Sequence, residues 1–175
     1  MISPYTTYTG KLIDFSDIKV KDIDIIDIAH GLAKECRFNG QIDCFYSVAQ
    51  HSILACSHAF INQEDPELCL AILLHDASEA YIKDLPSPVK DLLPQYRKLE
   101  SVVMAEIYRA HEILHMLDHP KIKHYDQLVF DWEWAQLKEK KAEIFRPMEW
   151  REAKESFMLA FNQTLKAVAK KRSYQ

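Results

Sequence analysis

The chain has 175 residues, of which 48% are hydrophobic and 27% are charged, as in an ordinary globular protein with a substantial core. Its formal net charge is −4 and its pI is about 6.1, so a broad basic surface for a nucleic acid polymer is not expected. Only three glycines occur, and the patterns GxGxxG and GxxxxGKS/T are both absent, which argues against a β-rich or phosphate-loop fold.

The cysteines and the apolar runs bear on where the protein resides. The four cysteines form no CxxC pair, and Cys56 and Cys69 lie in apolar helical segments, so we expect reduced, buried thiols. The first ten residues have neither the basic nor the apolar region of a secretion signal. No run approaches the roughly 18 apolar residues that span a bilayer. We therefore expect a cytoplasmic protein with no membrane partner.

The first third of the chain predicts an extended arm followed by two helices. Residues 1–20 are polar and aromatic and are expected to form the arm or a short hairpin. A helix follows from residue 22, because Asp22 and Asp24 suit its positive end and several apolar residues share one face. The Arg-Phe-Asn-Gly sequence at 37–40 predicts a turn. A second helix is expected from about Tyr46 to Phe60, with an apolar face of Ala49, Ile53, Cys56 and Phe60.

Residues 68–84 carry the clearest functional signal. Leu68 to Leu74 are apolar without exception, which leaves neither a helix nor a strand a polar face, so they are predicted to be buried. His75 and Asp76 end this run, and Glu79 and Asp84 follow. Ionisable groups beside the most buried segment are costly unless they have partners such as a cation. The segment therefore predicts a metal-assisted hydrolytic site.

The rest of the chain predicts three more helices after a loop at Asp84 to Lys90, where two prolines break any element. They are expected over residues 95–115, over residues 124–139 and from Pro147 onward, with Trp132, Trp134 and Trp150 in the core. Every confident element is a helix, and no linker or repeat is found. We expect an all-α fold, a compact bundle of six to seven helices forming a single domain over residues 1–175.

Two histidines and two aspartates form a candidate metal centre. His51 lies in the second predicted helix, His75 and Asp76 end the third, and Asp126 is the best inward carboxylate of a later helix. Imidazole nitrogen and carboxylate oxygen are ligands for borderline and hard divalent cations. Each residue also has an ordinary interpretation, since a lone histidine is commonly a core or surface residue and Asp126 suits a helix start. The residues alone leave both interpretations open.

Four motifs in order resemble the HD-domain phosphohydrolases, most closely the bacterial 5′-deoxynucleotidases and their phage-encoded relatives. They are residues 46–52, 73–81, 84–90 and 96–100, namely Tyr-Ser-Val-Ala-Gln-His-Ser, Leu-Leu-His-Asp-Ala-Ser-Glu-Ala-Tyr, Asp-Leu-Pro-Ser-Pro-Val-Lys and Tyr-Arg-Lys-Leu-Glu. The resemblance spans residues 25–140 and implies a helical HD-domain bundle, a divalent metal (Co, Mn, Zn or Mg) and a nucleotide substrate. Relatives of this kind also imply a homodimer or a higher homo-oligomer.

The resemblance implies a role for each matching residue. The metal ligands would be His51, His75, Asp76 and Asp126. Glu79 would be the catalytic carboxylate, and its position three residues after Asp76 places both on one side of a turn, where Glu79 can hold or deprotonate a water. Substrate contacts would come from Arg37 at the phosphate, from Phe38 stacking on sugar or base, from Asp84 at the sugar 3′-hydroxyl and from Lys90 at the phosphate. Asp84 as a turn residue and Lys90 as a solvated loop residue are the ordinary alternatives.

Two departures from the family affect the substrate expectation. Phe38 stands where the deoxynucleotidases have tryptophan, and Lys83 stands where they have glycine, which adds a positive charge. The leading expectation is hydrolysis of the 5′-phosphate of deoxyribonucleoside monophosphates. The first alternative is a deoxynucleoside triphosphate triphosphohydrolase that uses the same ligands and additional cations. A non-catalytic nucleotide-sensing module is the second, although such modules usually lack a ligand or the water-positioning carboxylate.

Overall fold

A computed structural model describes residues 5–139 and 146–174 and confirms a mostly helical bundle. Two short strands, β1 (Tyr5–Thr6) and β2 (Leu12–Ile13), pair antiparallel and form the hairpin expected within the N-terminal arm. The first four residues of that arm lie outside the described residues. Eight α-helices follow in the described ranges, one or two more than expected: α1 (Ile25–Lys34), α2 (Val48–Ile61), α3 (Pro66–Leu73), α4 (Glu79–Ile82), α5 (Ser87–Lys90), α6 (Pro94–Ala110), α7 (Pro120–Glu133) and α8 (Trp150–Arg172).

Helix α3 lies at the centre of the bundle, where it packs against α2, α7 and α8. Every residue from Leu68 to Leu74 is buried, as the unbroken apolar run predicts. Asp65 caps the helix by accepting a hydrogen bond from the backbone N–H of Glu67, and Pro66 occupies the first turn. The helix is shorter than the segment predicted for it, because turns at residues 74–78 separate it from α4. Those turns present His75 and Asp76 at the edge of the core.

Helix α2 buries Ala49 and Cys56, as predicted, but not the whole of the predicted inner face. Phe60, expected inside, is 57% exposed, whereas His51 is fully buried together with Ala55 and Ala59. The small side chains on the true inner face allow close packing against α3, α7 and α8. Apolar side chains are therefore a poor guide to the inner face of this helix. Cys56 and Cys69 are free and buried, as predicted.

The second half of the chain departs from its predicted helix boundaries. Helix α6 ends at Ala110 rather than His115, because Glu112 adopts a φ of 58° and the Ile113 N–H turns back to the Tyr108 carbonyl. Residues Trp134–Lys138 continue α7 as a π-helix. Trp132 and Trp134 were predicted in the core, but each is 43% exposed. No helix among the described residues is long and apolar enough to cross a membrane.

Gly31 is the point of closest approach between α1 and α4. A Cβ atom added at this position would lie 2.7 Å from the Ala80 Cβ and 2.8 Å from the Ala80 Cα and carbonyl oxygen. Two of these three atoms are backbone, so the contact cannot be relieved by a side-chain rotation. A glycine in a helix interior, which is otherwise unfavourable, is explained by this packing.

We expect the Gly31→Ala substitution to lower the free energy of unfolding by about 1–2 kcal/mol, since overpacking outweighs the better helix propensity of alanine. Urea denaturation monitored by circular dichroism measures the change. Lys98→Ala, at an exposed position of α6, is the control and is expected to alter stability by less than about 0.5 kcal/mol. A Gly31→Ala protein as stable as the wild type would mean that α4 moves freely relative to α1.

Candidate metal centre and substrate cavity

Three side chains from three parts of the bundle converge on one point. His51 from α2, His75 from the turns after α3 and Asp126 from α7 each offer a ligand atom, and these atoms all lie within 4.8 Å of one another. The His51 Nε2 atom is 3.2 Å from the His75 Nε2 atom and 3.1 Å from an Asp126 oxygen. Asp76 joins the group, with an oxygen 3.2 Å from the His75 Nε2 atom and 3.8 Å from the His51 Nε2 atom. The four predicted ligands therefore meet.

Hydrogen bonds on the far side of each imidazole orient the group. The Nδ1 atom of His75 donates to the Ile72 carbonyl at 2.7 Å, and the Nδ1 atom of His51 donates to a Glu133 carboxylate oxygen at 2.7 Å. In the neutral imidazoles both Nε2 atoms consequently carry lone pairs. Two lone pairs 3.2 Å apart, beside two carboxylates, repel one another unless a cation lies among them. This donor chemistry fits a divalent metal.

The electrostatics of the group likewise favour an added positive charge. Although burial opposes protonation, the neighbouring carboxylates of Asp76 and Asp126 raise the pKa of His75 well above its ordinary value. Burial also opposes ionisation of Asp76, yet the charge of His75 and its hydrogen bond lower the pKa of this carboxyl. The pKa of Asp126 is lowered against burial by hydrogen bonds from both histidines. A bound cation would supply the charge that a proton otherwise provides.

Glu133 is a buried carboxylate that the sequence analysis did not select. Its Oε1 atom accepts hydrogen bonds from His51 and, at 2.6 Å, from the Tyr46 hydroxyl. Its Oε2 atom accepts from Arg37 Nε at 3.1 Å and lies 3.0 Å from the Arg37 Nη2 atom. Glu133 is seven residues after Asp126 on the same face of α7, and this spacing was the available signal. It joins a candidate metal ligand, His51, to the arginine expected to contact substrate.

Glu79 is the first residue of α4, and its carboxylate pairs with Lys90. Its Oε1 atom accepts a hydrogen bond from the Lys90 ammonium at 3.2 Å, while its Oε2 atom is buried and has no hydrogen-bond partner among the described residues. Burial, reinforced by the negative charges of Asp76 and Asp84, raises the pKa of Glu79 well above its ordinary value. A buried, unsatisfied carboxylate oxygen is expensive to maintain, and such groups occur where a water or substrate is bound.

Lys90 is not a solvated loop residue. Its ammonium lies 2.6 Å from a Glu100 carboxylate oxygen in addition to its contact with Glu79, and its side chain is only 13% exposed. Burial opposes its protonation, but the two carboxylates raise its pKa and keep the charge. The short helix α5 and the start of α6 thus hold a cation beside Glu79.

A cavity of about 510 Å³ gives access to the centre. All four predicted substrate contacts line the cavity, namely Arg37, Phe38, Asp84 and Lys90. Glu79 and two of the predicted metal ligands, Asp76 and Asp126, line it as well. Burial, aided by the nearby negative charge of Asp76, raises the pKa of Asp84. Lys83 does not line this cavity among the described residues; its side chain is 73% exposed and pairs with Glu35 at 2.5 Å. The positive charge that Lys83 adds in place of the family's glycine therefore lies outside the cavity.

A tight turn presents Arg37 and Phe38 to the cavity. Phe38 and Asn39 have φ values of 55° and 51°, in the left-handed region that residues with a side chain rarely adopt. Backbone pairing across the base of the loop holds this conformation: the Arg37 N–H donates to the Tyr46 carbonyl at 2.8 Å and the Val48 N–H donates to the Glu35 carbonyl at 3.0 Å. Strained residues that persist in this way cluster at functional sites.

His111 and His115 are four residues apart, a spacing that could place two metal ligands on one helix face, but the structure separates them. His111 lies at the end of α6 with its ring 5.1 Å from the Phe161 ring, and burial lowers its pKa. His115 is in a separate 3-10 turn (Leu114–Met116) with its Nε2 atom 3.5 Å from Glu67. The metal-like spacing is lost because the helix ends between the two residues.

Two histidines and two aspartates that converge beside a cavity, with the aspartates lining it, in an all-α bundle are the arrangement of an HD-domain hydrolase. Comparison with known proteins agrees: the family described as 5′-deoxynucleotidase YfbR-like matches residues 28–146. The chain therefore belongs to the YfbR-like family.

Two bacterial proteins are similar to this chain in sequence over more than half of its length. The uncharacterized protein YfdR of Escherichia coli (strain K12) is 37% identical over 131 residues, covering 75% of this chain and 70% of that protein. The uncharacterized protein RCAP_rcc00048 of Rhodobacter capsulatus is 38% identical over 107 residues, covering 57% of this chain and 54% of that protein.

Proposed function

We propose that this protein is a divalent-metal-dependent phosphohydrolase that removes the 5′-phosphate from deoxyribonucleoside monophosphates. The observation that carries the proposal is the convergence of the His51, His75 and Asp126 ligand atoms at a cavity that Glu79, Arg37 and Asp84 also line. Membership of a family described as 5′-deoxynucleotidase supports the reaction type. The net reaction consumes one water and releases one nucleoside and one orthophosphate.

The proposed metal ligands are His51, His75, Asp76 and Asp126, a mixed nitrogen and oxygen set suited to Mn²⁺, Co²⁺ or Zn²⁺ and, less well, to Mg²⁺. A bound cation of this kind lowers the pKa of water and offsets the charge on phosphate oxygens. Glu79 accepts the proton of the attacking water through its unpartnered oxygen. Lys90 and Arg37 face the phosphate, and Asp84 accepts a hydrogen bond from the 3′-hydroxyl.

Charge balance supports a monophosphate over a triphosphate. A triphosphate needs additional cations, and those expected from the sequence were Arg37, Lys83 and Lys90. Each of them already has a carboxylate partner within 4 Å: Glu133 and Asp76 for Arg37, Glu35 for Lys83, and Glu79 and Glu100 for Lys90. These three cations therefore add little uncompensated positive charge to the cavity. A sensing module is disfavoured because neither the four ligands nor the water-positioning carboxylate is missing.

The test is a panel of dNMPs, dNTPs and cyclic nucleotides assayed separately with Mn²⁺, Co²⁺, Mg²⁺ and Zn²⁺. We expect orthophosphate release from dNMPs and no tripolyphosphate from dNTPs. Release of tripolyphosphate from dNTPs, or stepwise loss of their phosphates, would show that the protein is a triphosphohydrolase instead. No phosphate release from any substrate with any metal would refute the enzyme. Cytoplasmic location and a homodimeric or larger assembly stay predictions, which cell fractionation and light scattering would test.

Metal removal should abolish the activity reversibly. We expect dialysis against EDTA to eliminate dNMP hydrolysis and to lower the Tm, because the two Nε2 lone pairs and the carboxylates are then left facing one another. Adding back one divalent cation at a time, with Tm and phosphate release measured together, identifies the metal that restores both. A chelated protein with unchanged Tm and activity would contradict a metal at this centre.

A further inference from the structure

The loop that carries Asp84 into the cavity begins at a strained residue. Lys83 follows α4 with a φ of 78° and a ψ of 152°, a combination that is essentially restricted to glycine. The lysine side chain gives no local reason for this conformation, because it is 73% exposed and lies outside the cavity. Contacts from other parts of the chain must therefore hold the backbone at this point.

Two side chains hold the single peptide group between Lys83 and Asp84. The Tyr96 hydroxyl donates a hydrogen bond to the Lys83 carbonyl, and the Asp84 N–H donates to the Glu35 Oε1 atom at 3.3 Å. The carbonyl and the N–H of a trans peptide point in opposite directions, so partners on both sides fix the plane of the group. The orientation of this peptide is thus determined by residues that are distant in the chain.

The Asp84 side chain depends on that peptide for its direction. Asp84 is half-buried and lines the cavity, yet among the described residues its carboxylate has neither a hydrogen-bond donor nor a cation within 4 Å. A carboxylate in such a place is costly without a donor, and one is expected where a ligand supplies it. Because the protein makes no contact that aims the carboxylate itself, the backbone before it has to do so.

Glu35 can hold the peptide because its own backbone is fixed beside the Arg37 turn. Its N–H donates to the Gly31 carbonyl at 2.9 Å, and its carbonyl accepts from the Val48 N–H at 3.0 Å. Its side chain is only 12% exposed. Glu35 therefore links two sides of the cavity, the turn that presents Arg37 and the loop that presents Asp84.

We infer that Glu35 and Tyr96 are positioning residues, which orient the Asp84 carboxylate by holding the peptide before it and thereby set the preference for a substrate with a free 3′-hydroxyl. This inference rests on the proposed function and extends it to two side chains that do not line the cavity. The decisive part of Glu35 is the oxygen that accepts from Asp84. The ion pair with the exposed Lys83 contributes little, as is usual at a surface.

The test compares dAMP with 2′,3′-dideoxyadenosine 5′-monophosphate (ddAMP), which differs only in lacking the 3′-hydroxyl. We expect the wild type to favour dAMP by roughly tenfold or more in kcat/KM, because ddAMP cannot donate to the charged Asp84. Glu35→Ala should lower kcat/KM for dAMP until most of this preference is lost, while the value for ddAMP changes by less than about threefold. Tyr96→Phe, which removes only the hydroxyl, should act in the same direction.

Two control variants separate the hydrogen bond from the ion pair and from general damage. Glu35→Gln keeps an oxygen that can accept from the Asp84 N–H but loses the charge that faces Lys83, so it should retain the preference for dAMP. Glu106→Ala should behave as the wild type, since Glu106 has a similar side-chain exposure, 14%, and pairs with Arg109 away from the loop. Equal loss of the preference in Glu35→Gln and Glu35→Ala would overturn the inference.

A double-mutant cycle tests whether Glu35 acts through Asp84. Asp84→Ala should abolish the preference for dAMP, and adding Glu35→Ala to it should change the ratio of the two kcat/KM values no further. An equal fall in kcat/KM for dAMP and ddAMP in Glu35→Ala would indicate general damage and overturn the inference. A wild type without any preference for dAMP would overturn it as well.

A binding measurement separates this inference from the proposed reaction. Calorimetric titration of the Glu79→Gln protein, with and without Glu35→Ala, compares the Kd values of dAMP and ddAMP while hydrolysis is slow. Tighter binding of dAMP that depends on Glu35, in a protein whose wild type releases no phosphate, would refute the phosphohydrolase and retain the positioning role. Phosphate release from dNMPs with the same preference in wild type and Glu35→Ala would refute the positioning role and retain the phosphohydrolase.

Discussion

Replacing Glu79 by glutamine is expected to lower kcat for dNMP hydrolysis by about 10³-fold while the metal stays bound. General base catalysis by a positioned carboxylate contributes roughly 10²–10⁴-fold, and the amide cannot take the proton of the attacking water. The change is isosteric and removes a charge that burial already disfavours, so the fold should tolerate it. Phosphate release and the bound metal, measured by elemental analysis on the same sample, check both halves of the expectation.

Comparison variants give the Glu79 result its meaning. Asp76→Ala should lose both turnover and metal, because it removes a carboxylate within 3.8 Å of both histidine Nε2 atoms. Glu155→Gln, at an exposed position of α8, should behave as the wild type. Metal loss in Glu79→Gln would show that this carboxylate is a ligand, and retained turnover would show that another group handles the proton.

The second large effect is expected at Glu133, where glutamine should reduce both metal affinity and stability. Removing the partner of a metal-bound imidazole typically costs 10–100-fold in affinity, and Glu133 is the partner of the His51 Nδ1 atom. The same change leaves the buried Arg37 guanidinium without its closest carboxylate, at a cost of about 3 kcal/mol. Metal titration of the folded protein and urea denaturation measure the two effects independently.

Glu152→Gln provides the control for Glu133, because Glu152 also pairs with an arginine, Arg146, but at the surface. Its stability should change by less than about 1 kcal/mol. If Glu133 positions His51, the Glu133→Gln variant should bind metal more weakly than the wild type even under conditions where the variant is fully folded. A destabilised variant with wild-type metal affinity would limit Glu133 to holding Arg37 and Tyr46.

The sequence predicted which residues converge at the candidate metal centre better than it predicted the helix faces around it. Leu68 to Leu74 were correctly placed in the core because an apolar run has no alternative environment, and the ionisable groups after it needed partners. The inner face of α2 was predicted only in part: Ala49 and Cys56 are buried, but Phe60 is exposed. Small side chains and a buried histidine complete the inner face, and neither contributes strongly to an apolar periodicity. The positions of His51, His75 and Asp126 were predictable; their orientation was not.

Orientation depends on contacts that join residues far apart in the chain. Glu133 binds Tyr46 and His51 across intervals of more than eighty residues, so its spacing from Asp126 indicates the face of α7 that it shares but not these partners. Trp134 was predicted in the core because tryptophan is a large apolar residue, and only the tertiary structure shows that it lines the cavity. Helix α6 ended early through a left-handed Glu112, which is neither glycine nor asparagine and gives no turn signal.

The backbone pairing beneath the Arg37 turn has a consequence for how this family can diversify. The Arg37 N–H donates a hydrogen bond to the Tyr46 carbonyl, and both side chains contact the Glu133 carboxylate. The two ends of the loop between Arg37 and Tyr46 are therefore fixed independently of its tip. Lengthening a loop with fixed ends is inexpensive, about 0.6 kcal/mol for each doubling. Residues 39–45 can therefore be replaced or extended by engineering, which would change what enters the cavity while the candidate metal centre keeps its geometry.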